Sequence, residues 1–479
     1  MNKSFDYIPK DNRKKIILIS DDIRVHSGVA TIAKEIVLHT CHHFNWVNIG
    51  GAINHPDKGK KLDLSIESNK VAGIDDSYVM MYPINGYGDI EFLRQIIKLE
   101  NPDAIMLITD PRYFIWLFNA EQEIRKNIPI AYLNIWDDYP APMYNKPYYE
   151  ACDLLMGISK QTVNINKLVL GDKAKNKIIK YIPHGLDPSI YRPLKDEDPE
   201  LKKFKKDFFN NEEPEFVLFF NSRNIRRKQI PDTMLAFRAF LDSLPKEKAD
   251  KCKMVLHTEE ISEHGTNLRK VKEYFFDESY PKAIKFSTQK LSPTQLNYLY
   301  NIADAQILLT SNEGWGLTIT EAILSGTPII ANVTGGMQDQ MRFEDENGNW
   351  FTPTADLPSN HNGTLKKHGN WVLPVYPTSR SIQGSPTTPY IYDDRCRWED
   401  ATARIKEIYY MSKEERKERG LKGREWAIGE EAGFTSEYQA QRVIEAFKEL
   451  FVTWEPREKY EIVNATEYKG KFLPHKLYY

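Results

Sequence analysis

The stretch "AQILLTSNEGWGLTITEAILSGTPIIANV", residues 305–333, decides how this chain folds. "AQILLT" (305–310) is an apolar run of strand length, and "TPIIANV" (327–333) is a second. Between them Gly314 and Gly316 mark a turn, and the residues from Thr318 onward read as a helix. Strand, glycine turn, helix and strand make the βαβ unit of a parallel sheet, whose ligands sit beyond the carboxyl ends of the strands. Glu313 lies in that turn and Glu321 just inside the helix. Two readings of Glu321 stand. In one, Thr318 to Glu321 is a capping box that closes the helix start on itself. In the other, both glutamates face a ligand that the turn amides approach closely and the helix N-terminus attracts by its charge.

The same alternation extends in both directions. "KKIILIS" (14–20) is a strand, followed by a loop with Gly28 and an amphipathic helix carrying Val29, Ile32, Ala33, Ile36 and Val37 inward. Further strands are expected at 102–110, 129–136, 152–159 and 178–185, then at 216–222, 253–258 and 283–288, with helices between. Residues 187–213 are proline-bearing and strongly charged, as a linker would be. Two Rossmann-like domains are therefore expected. Residues 1–195, completed by C-terminal helices at about 435–479, form one; residues 205–434 form the other. Residues 344–395 break the rhythm, being rich in Pro, Gly, Ser and Tyr, and read as a long insertion walling the cleft with Trp371, Tyr390 and Asp393.

Bulk composition narrows the class. With 479 residues, 41% hydrophobic and 28% charged, the chain can build more than one core. A net charge of −2 gives no global field for nucleic acid or membrane. Basic runs at 12–15, 58–61, 202–206 and 223–228 remain local. The four cysteines, Cys41, Cys152, Cys252 and Cys396, are far apart, which argues against a disulfide scaffold and for a reducing compartment. "HTCHH" (39–43) lacks the ligand spacing of a metal site. No signal-peptide core or membrane-length apolar run is present, so a soluble cytoplasmic protein is expected.

Chemistry is looked for in the loops after strands. Beyond "FVLFFNS" stand Arg223 and Lys228, five apart and ahead of a helix. Such a pair suits a diphosphate, because Arg grips two oxygens while Lys supplies a point charge.

At Glu313–Glu321 the sequence resembles the E-x7-E element of group 1 (family 4) retaining glycosyltransferases. "YIPHGLDPSIYRP" (181–193) resembles the segment that closes the first domain of such enzymes, and "NSRNIRRK" (221–228) their arginine-to-lysine loop, with Asn221 and Ser222 where glycine is usual. "LSPTQLNYLYNIADAQILLTSNEGWGLTITEA" (291–322) follows the family pattern almost throughout. The resemblance implies a GT-B fold, α/β with two Rossmann-like domains facing across a cleft, and a hexosyltransferase drawing on a nucleotide diphosphate sugar. It implies that Glu321 binds the ribose hydroxyls, in preference to capping. Glu313 would stand by the donor sugar and stabilise positive charge at the anomeric carbon. Arg223 and Lys228 would hold the diphosphate, with Gly28, Gly314, Trp315, Gly316, Leu317 and Thr318 completing the donor site. No metal or other cofactor is then needed, and the paired aspartates at 21–22, 75–76, 137–138 and 393–394 are not read as metal ligands.

One departure stands out. Where many family members carry a histidine, this chain reads Trp136-Asp137-Asp138-Tyr139. Trp136 and Asp138 then belong to the sugar or acceptor pocket, and Asp137 or Asp138 orients or deprotonates the acceptor hydroxyl, or both are surface acids opening a turn. His26, beside Gly28, lies where the acceptor would enter, and His184 reads as a loop residue. The acceptor is a glycan, a lipid-linked glycan or a hydroxymethylated base in DNA; in the last case the basic runs at 58–61 and 202–206 contact phosphate. A nucleotide-sugar epimerase and a non-catalytic sugar-nucleotide or glycan-binding protein are the rival readings.

Overall fold

The computed structural model describes residues 7–457. The expected C-terminal helices at 435–479 therefore lie outside the described residues beyond position 457.

Eight strands build the first sheet: β1 (Lys14–Asp21), β2 (Phe44–Gly51), β3 (Leu62–Asp63), β4 (Val79–Pro83), β5 (Ala104–Ile108), β6 (Ile130–Asn134), β7 (Leu154–Gly157) and β8 (Ile178–Tyr181). Their order is β3-β4-β2-β1-β5-β6-β7-β8. Only the short edge strand β3 runs antiparallel. Ile16 to Ile19 of β1 are wholly buried on alternating sides, which is why the strand reads as a continuous apolar run. The helix Gly28–Thr40 starts where the Ser27 hydroxyl accepts the Ala30 amide, and it buries Ile32, Ala33, Ile36 and Val37 as its period predicts.

Six parallel strands build the second sheet: β9 (Phe216–Asn221), β10 (Cys252–His257), β11 (Ile284–Ser287), β12 (Ala305–Leu308), β13 (Ile329–Asn332) and β14 (Val372–Val375). Their order is β11-β10-β9-β12-β13-β14. The stretch that opened the sequence reading is β12, turn, helix Leu317–Leu324 and β13.

Three expectations need correction. Residues 42–88 hold β2 and β4, which the sequence reading passed over; β2 is buried at every position. The charged segment 187–213 is not all linker, since Asp198 caps a helix at Pro199–Phe208. The insertion at 344–395 contributes β14 to the second sheet, followed by an antiparallel hairpin, β15 (Ser379–Ser385) with β16 (Thr388–Arg395).

The chain crosses between the lobes twice, and the crossings touch. Leu186 exchanges backbone hydrogen bonds with Phe434 and Ser436. A Cβ on Gly185 would lie 2.1 Å from the Thr435 carbonyl oxygen, so this approach requires glycine. The helix Ser436–Thr453 then returns to the first lobe, packing on Gly28–Thr40 and β8.

Candidate active site

Each sheet reverses its winding once, between β1 and β5 in the first and between β9 and β12 in the second. Ligands of open α/β sheets bind beside such points. Here the two carboxyl edges meet. The Gly314 amide donates to Asp137 Oδ1 at 3.0 Å, and the Thr334 hydroxyl lies 3.1 Å from Asp138 Oδ2. The Lys160 amide donates to Asp339 at 2.9 Å, and Leu317 lies against Gly28.

Glu313 is the centre of charge. Its Oε2 accepts from Arg227 Nη1 at 2.7 Å and from Lys228 Nζ. Burial alone would raise this carboxyl, but the Arg227 and Lys228 charges override it and hold it at about 2. Burial pulls Lys228 down while Glu313 supports its charge. Asp137 approaches Arg227 at 3.8 Å and keeps a third of its side chain exposed. Two carboxylates and two cations thus share one place, and the site remains open to solvent at Asp137.

Arg223 does not join this cluster. Its side chain is exposed and has no hydrogen bond or ion pair among the described residues. Asn224 is the reason. Buried and bonded through its side-chain amide to the carbonyls of Glu259 and Thr266, it pins the loop, and the following turn Arg226–Lys228 directs Arg227 and Lys228 inward. Arg227, in the same basic run but off the five-residue spacing, is the partner sequence reasoning missed.

No capping box forms. Gly316, at φ 86°, takes the N-cap position of Leu317–Leu324, so Thr318 already stands in the first turn and no side chain caps the helix. Glu321 instead accepts from Tyr300 Oη at 2.6 Å, from Tyr191 Oη at 3.3 Å and from Asn221 Nδ2 at 3.3 Å. Burial outweighs these bonds and raises its carboxyl to about 7. Tyr191 and Tyr300 are distant in sequence and carried no local signal.

Three expected contacts are structural. Trp315 is buried edge-on against Phe434, with its indole N–H on Thr320 at 2.9 Å, so only its backbone is left for a ligand. Trp136 is likewise buried, its indole N–H held by the Asp138 carbonyl at 2.8 Å. Asp138 is fully buried, accepting from the Tyr139 amide and Gln161 and standing beside Thr334 of the other lobe. The turn after β6 separates the pair: Asp137 faces the charge cluster while Asp138 points into the protein. His184 packs against Trp315, and burial lowers its imidazole to about 3. His26 and Gly28 are exposed at the rim.

Gly335 and Gly336 seat the Glu313 turn. The Gly336 amide donates to the Glu313 carbonyl at 2.9 Å, and a Cβ on Gly336 would stand 1.9 Å from the Gly314 oxygen. The β15–β16 hairpin closes one side. Asp393 accepts from Arg226 and from Asn312, both at 2.7 Å. Tyr390 meets the Met143 amide at 3.1 Å, and the Tyr392 amide donates to the Tyr139 carbonyl at 2.7 Å. Tyr390 and Asp393 thus wall the cleft as expected, whereas Trp371 is buried in the second lobe, stacked on Trp426.

A cavity of about 510 Å³ lies elsewhere, at the amino ends of β9 and β12 and lined by Leu194, Lys205, Asp304 and Arg416. It is at the wrong end of the sheet to serve this cluster. Among the described residues no three His, Cys, Asp or Glu side chains are grouped to hold a metal ion, and no helix is long and apolar enough to cross a membrane.

Comparison with known proteins adds to this geometry. Residues 202–358 match the family of glycosyl transferases group 1. No curated protein matches in sequence. Among solved structures, a glycosyltransferase from Rickettsia africae is similar with a TM-score of 0.62 at 15% identity, covering 92% of this chain and 99% of that one. The Anabaena HepE protein in complex with UDP and glucose has a TM-score of 0.62 at 12% identity, covering 91% and 100%. Sucrose-phosphate synthase from Thermosynechococcus elongatus has a TM-score of 0.62 at 15% identity, covering 92% and 100%. At such identities the likeness establishes the GT-B fold.

Proposed function

We propose, from the match of residues 202–358 to glycosyl transferases group 1 and from the GT-B fold, that the protein moves a sugar from a nucleotide diphosphate sugar to an acceptor hydroxyl with retention at the anomeric carbon. The observation that carries the reading is Glu313 held between Arg227 and Lys228 at the end of β12, across the cleft from Asp137.

The donor's diphosphate takes Lys228 and Arg227, with Arg223 free at the rim to close over it. The first amides of Leu317–Leu324 aim at the same anion, since a helix start leaves its donors unpaired. As the bond from the anomeric carbon to the diphosphate breaks, its electron pair leaves with the phosphate oxygen, where these fixed charges stabilise it without reorganisation. Glu313 stabilises the positive charge that grows on the sugar. The acceptor oxygen attacks from the face the diphosphate leaves, and its proton passes to the departing phosphate oxygen. Asp137 orients that hydroxyl. Glu321 binds the ribose hydroxyls, exchanging its tyrosine donors for those of the nucleotide. Fixed cations and a helix start do the work a metal would do, so activity is expected to survive chelation.

The HepE protein has also been solved with UDP-glucose, which makes that the first donor to try. The test is release of UDP from UDP-glucose with a panel of saccharides, by wild type and by Glu313→Ala and Lys228→Ala. Both variants should lose at least about a hundredfold in kcat. Turnover near that of wild type in either would remove its assigned role, and conversion of the donor sugar without any acceptor would show an epimerase instead.

A further inference from the structure

We infer that Tyr113 and Tyr87 form the platform on which an uncharged saccharide acceptor stacks, in the crevice between β1 and β5. The inference rests on the sugar-transfer reading and names the acceptor class that reading leaves open.

The platform begins with a strained residue. Thr109, next after β5, has φ 119°, a backbone region that a β-branched side chain rarely enters and that persists only where the surroundings enforce it. Its carbonyl accepts from Tyr132 Oη at 2.9 Å, which fixes the turn. Asp110 follows as the cap of the short helical turn Pro111–Phe114, and its carboxylate grips Arg112 at 2.8 and 2.6 Å. Tyr113 is thereby carried out over the sheet edge with 53% of its surface exposed. Its ring lies 4.7 Å from that of Tyr87 at an interplanar angle of 34°. Trp116 is anchored behind it, its indole N–H on the Tyr113 carbonyl at 3.1 Å.

A continuous path joins this pair to the donor helix. Tyr87 Oη donates to Asp21 at 2.7 Å, and Asp21 also accepts from Ser27, the residue that caps Gly28–Thr40. Gly28 in turn lies against Leu317 at the start of the helix proposed to face the diphosphate. The platform therefore stands at the first sheet's own switch point, while the charge cluster stands at that of the second.

The surroundings select the ligand. An exposed aromatic face loses little on desolvation and matches the apolar C–H face of a sugar ring. Asp21 has spare acceptor capacity, because a carboxylate offers about four lone-pair positions and among the described residues two side-chain donors, Ser27 and Tyr87, occupy them. Sugar hydroxyls can supply the rest. A phosphodiester backbone finds no such welcome, since it needs cations with charge to spare. Arg24 is already committed to Asp22 at 2.7 Å, as Arg112 is to Asp110. In the basic run at 58–61 Lys60 pairs with Asp57 and Lys61 with Glu100, which leaves Lys58 alone there without an ion pair among the described residues. The other basic run, 202–206, belongs to the helix Pro199–Phe208 of the second lobe.

The test is a set of transfer kinetics with UDP-glucose as donor. Gluco-oligosaccharides and hydroxymethylated DNA serve as the two acceptor arms. Wild type should use a saccharide, with an acceptor KM that stays within about twofold between roughly 0.05 and 0.5 M salt. Tyr113→Ala should raise that KM about tenfold against an unchanged donor KM, and Tyr113→Phe, which keeps the ring face, should restore it. Three outcomes would overturn the inference while sparing the sugar-transfer reading: an acceptor KM indifferent to Tyr113→Ala, salt-sensitive transfer to the DNA arm, or hydrolysis of the donor with no saccharide accepted. Failure of any nucleotide sugar to turn over would defeat the underlying reading, and this inference with it.

Discussion

The Gly314 amide and the Asp137 carboxylate, contributed by different lobes, meet at 3.0 Å beside the Glu313 cluster. In the proposed reaction the contact couples lobe closure to the chemistry, because Asp137 also faces Arg227. Asp137→Asn keeps an oxygen to accept the amide and so keeps the lobes in register, but it removes the charge. We expect its thermal stability to stay within about 1 kcal/mol of wild type while kcat falls roughly tenfold or more. Asp137→Ala should lose both. An Asn variant as active as wild type would reduce Asp137 to a hinge contact.

Glu313 also matters for folding. Removing it strands the buried Lys228 and takes one carboxylate from the half-buried Arg227, which keeps Asp137 and the Asn312 carbonyl, and a broken buried ion pair typically costs about 3–5 kcal/mol. Glu313→Ala should therefore melt well below wild type as well as losing activity. The double variant Glu313→Ala/Lys228→Ala should recover part of the loss, since it removes the stranded Lys228 charge and leaves Arg227 with Asp137 and the Asn312 carbonyl. Denaturant titration of the four proteins gives the coupling energy, and additive losses would mean that the pair contributes nothing to stability.

Glu321 makes a pH-dependent prediction with a definite sign. Its carboxyl titrates near 4.5 when unfolded and is raised to about 7 in the fold by burial. The folded state therefore holds the proton more tightly. Its contribution is fully present below the unfolded value and is lost as pH rises from there through about 7. Glu321→Gln should remove that slope and be more stable than wild type at pH 8, by on the order of 3 kcal/mol. Nucleotide binding should move the other way. The ionised carboxylate is the better acceptor for ribose hydroxyls, so UDP affinity should rise from pH 6 to pH 8 in wild type and stay flat and weak in the variant. Calorimetry at the two pH values separates these outcomes.

Much of this arrangement was legible in the sequence, for a physical reason. Buried parallel strands such as β1 and β12 must be apolar throughout, and glycine turns such as Gly314–Gly316 must break them, so local pattern reveals both. Glu313 and Lys228 stood out because each follows such a strand. What stayed hidden depends on distance in the chain. Tyr300 and Tyr191 reach Glu321 only through packing, and Asp393 reaches Arg226 only after the hairpin has folded back. The β2 strand escaped because "FNWVNIGG" carries two asparagines, yet Asn48 is buried, with its amide donating to the Leu18 carbonyl at 3.1 Å and to Ser20 at 3.2 Å. Spacing misdirected attention to Arg223 because a count of residues does not say which way a pinned loop turns. The paired acids at 137–138 look alike in sequence, and only the opposing lobe tells them apart.

That difference leads to a prediction about protons. Thr334 Oγ1 lies 3.1 Å from Asp138 Oδ2 and 2.9 Å from Asp394 Oδ2, but a hydroxyl has one hydrogen to give. Both contacts are hydrogen bonds only if one carboxyl brings a proton of its own. Burial, followed by the nearby Asp394 charge, raises Asp138 well above the ordinary carboxylate range and marks it as the holder. Asp394 has the Arg380 guanidinium as its neighbour, with Nε at 3.3 Å. The folded value of Asp138 therefore exceeds the unfolded one, so its stabilisation is complete in acid and lost as pH rises through the raised value. Asp138→Asn reproduces the protonated pattern permanently. Its carbonyl oxygen still accepts from Tyr139 and Gln161, and its NH2 donates to Thr334, which donates onward to Asp394. We expect Asp138→Asn to match wild type in acid, below the ordinary carboxylate range, and to exceed it in melting temperature by a margin that grows as the pH rises above that range. A variant that unfolds earlier than wild type both in acid and at neutral pH would mean that two ionised carboxylates, not a shared proton, hold the lobes together.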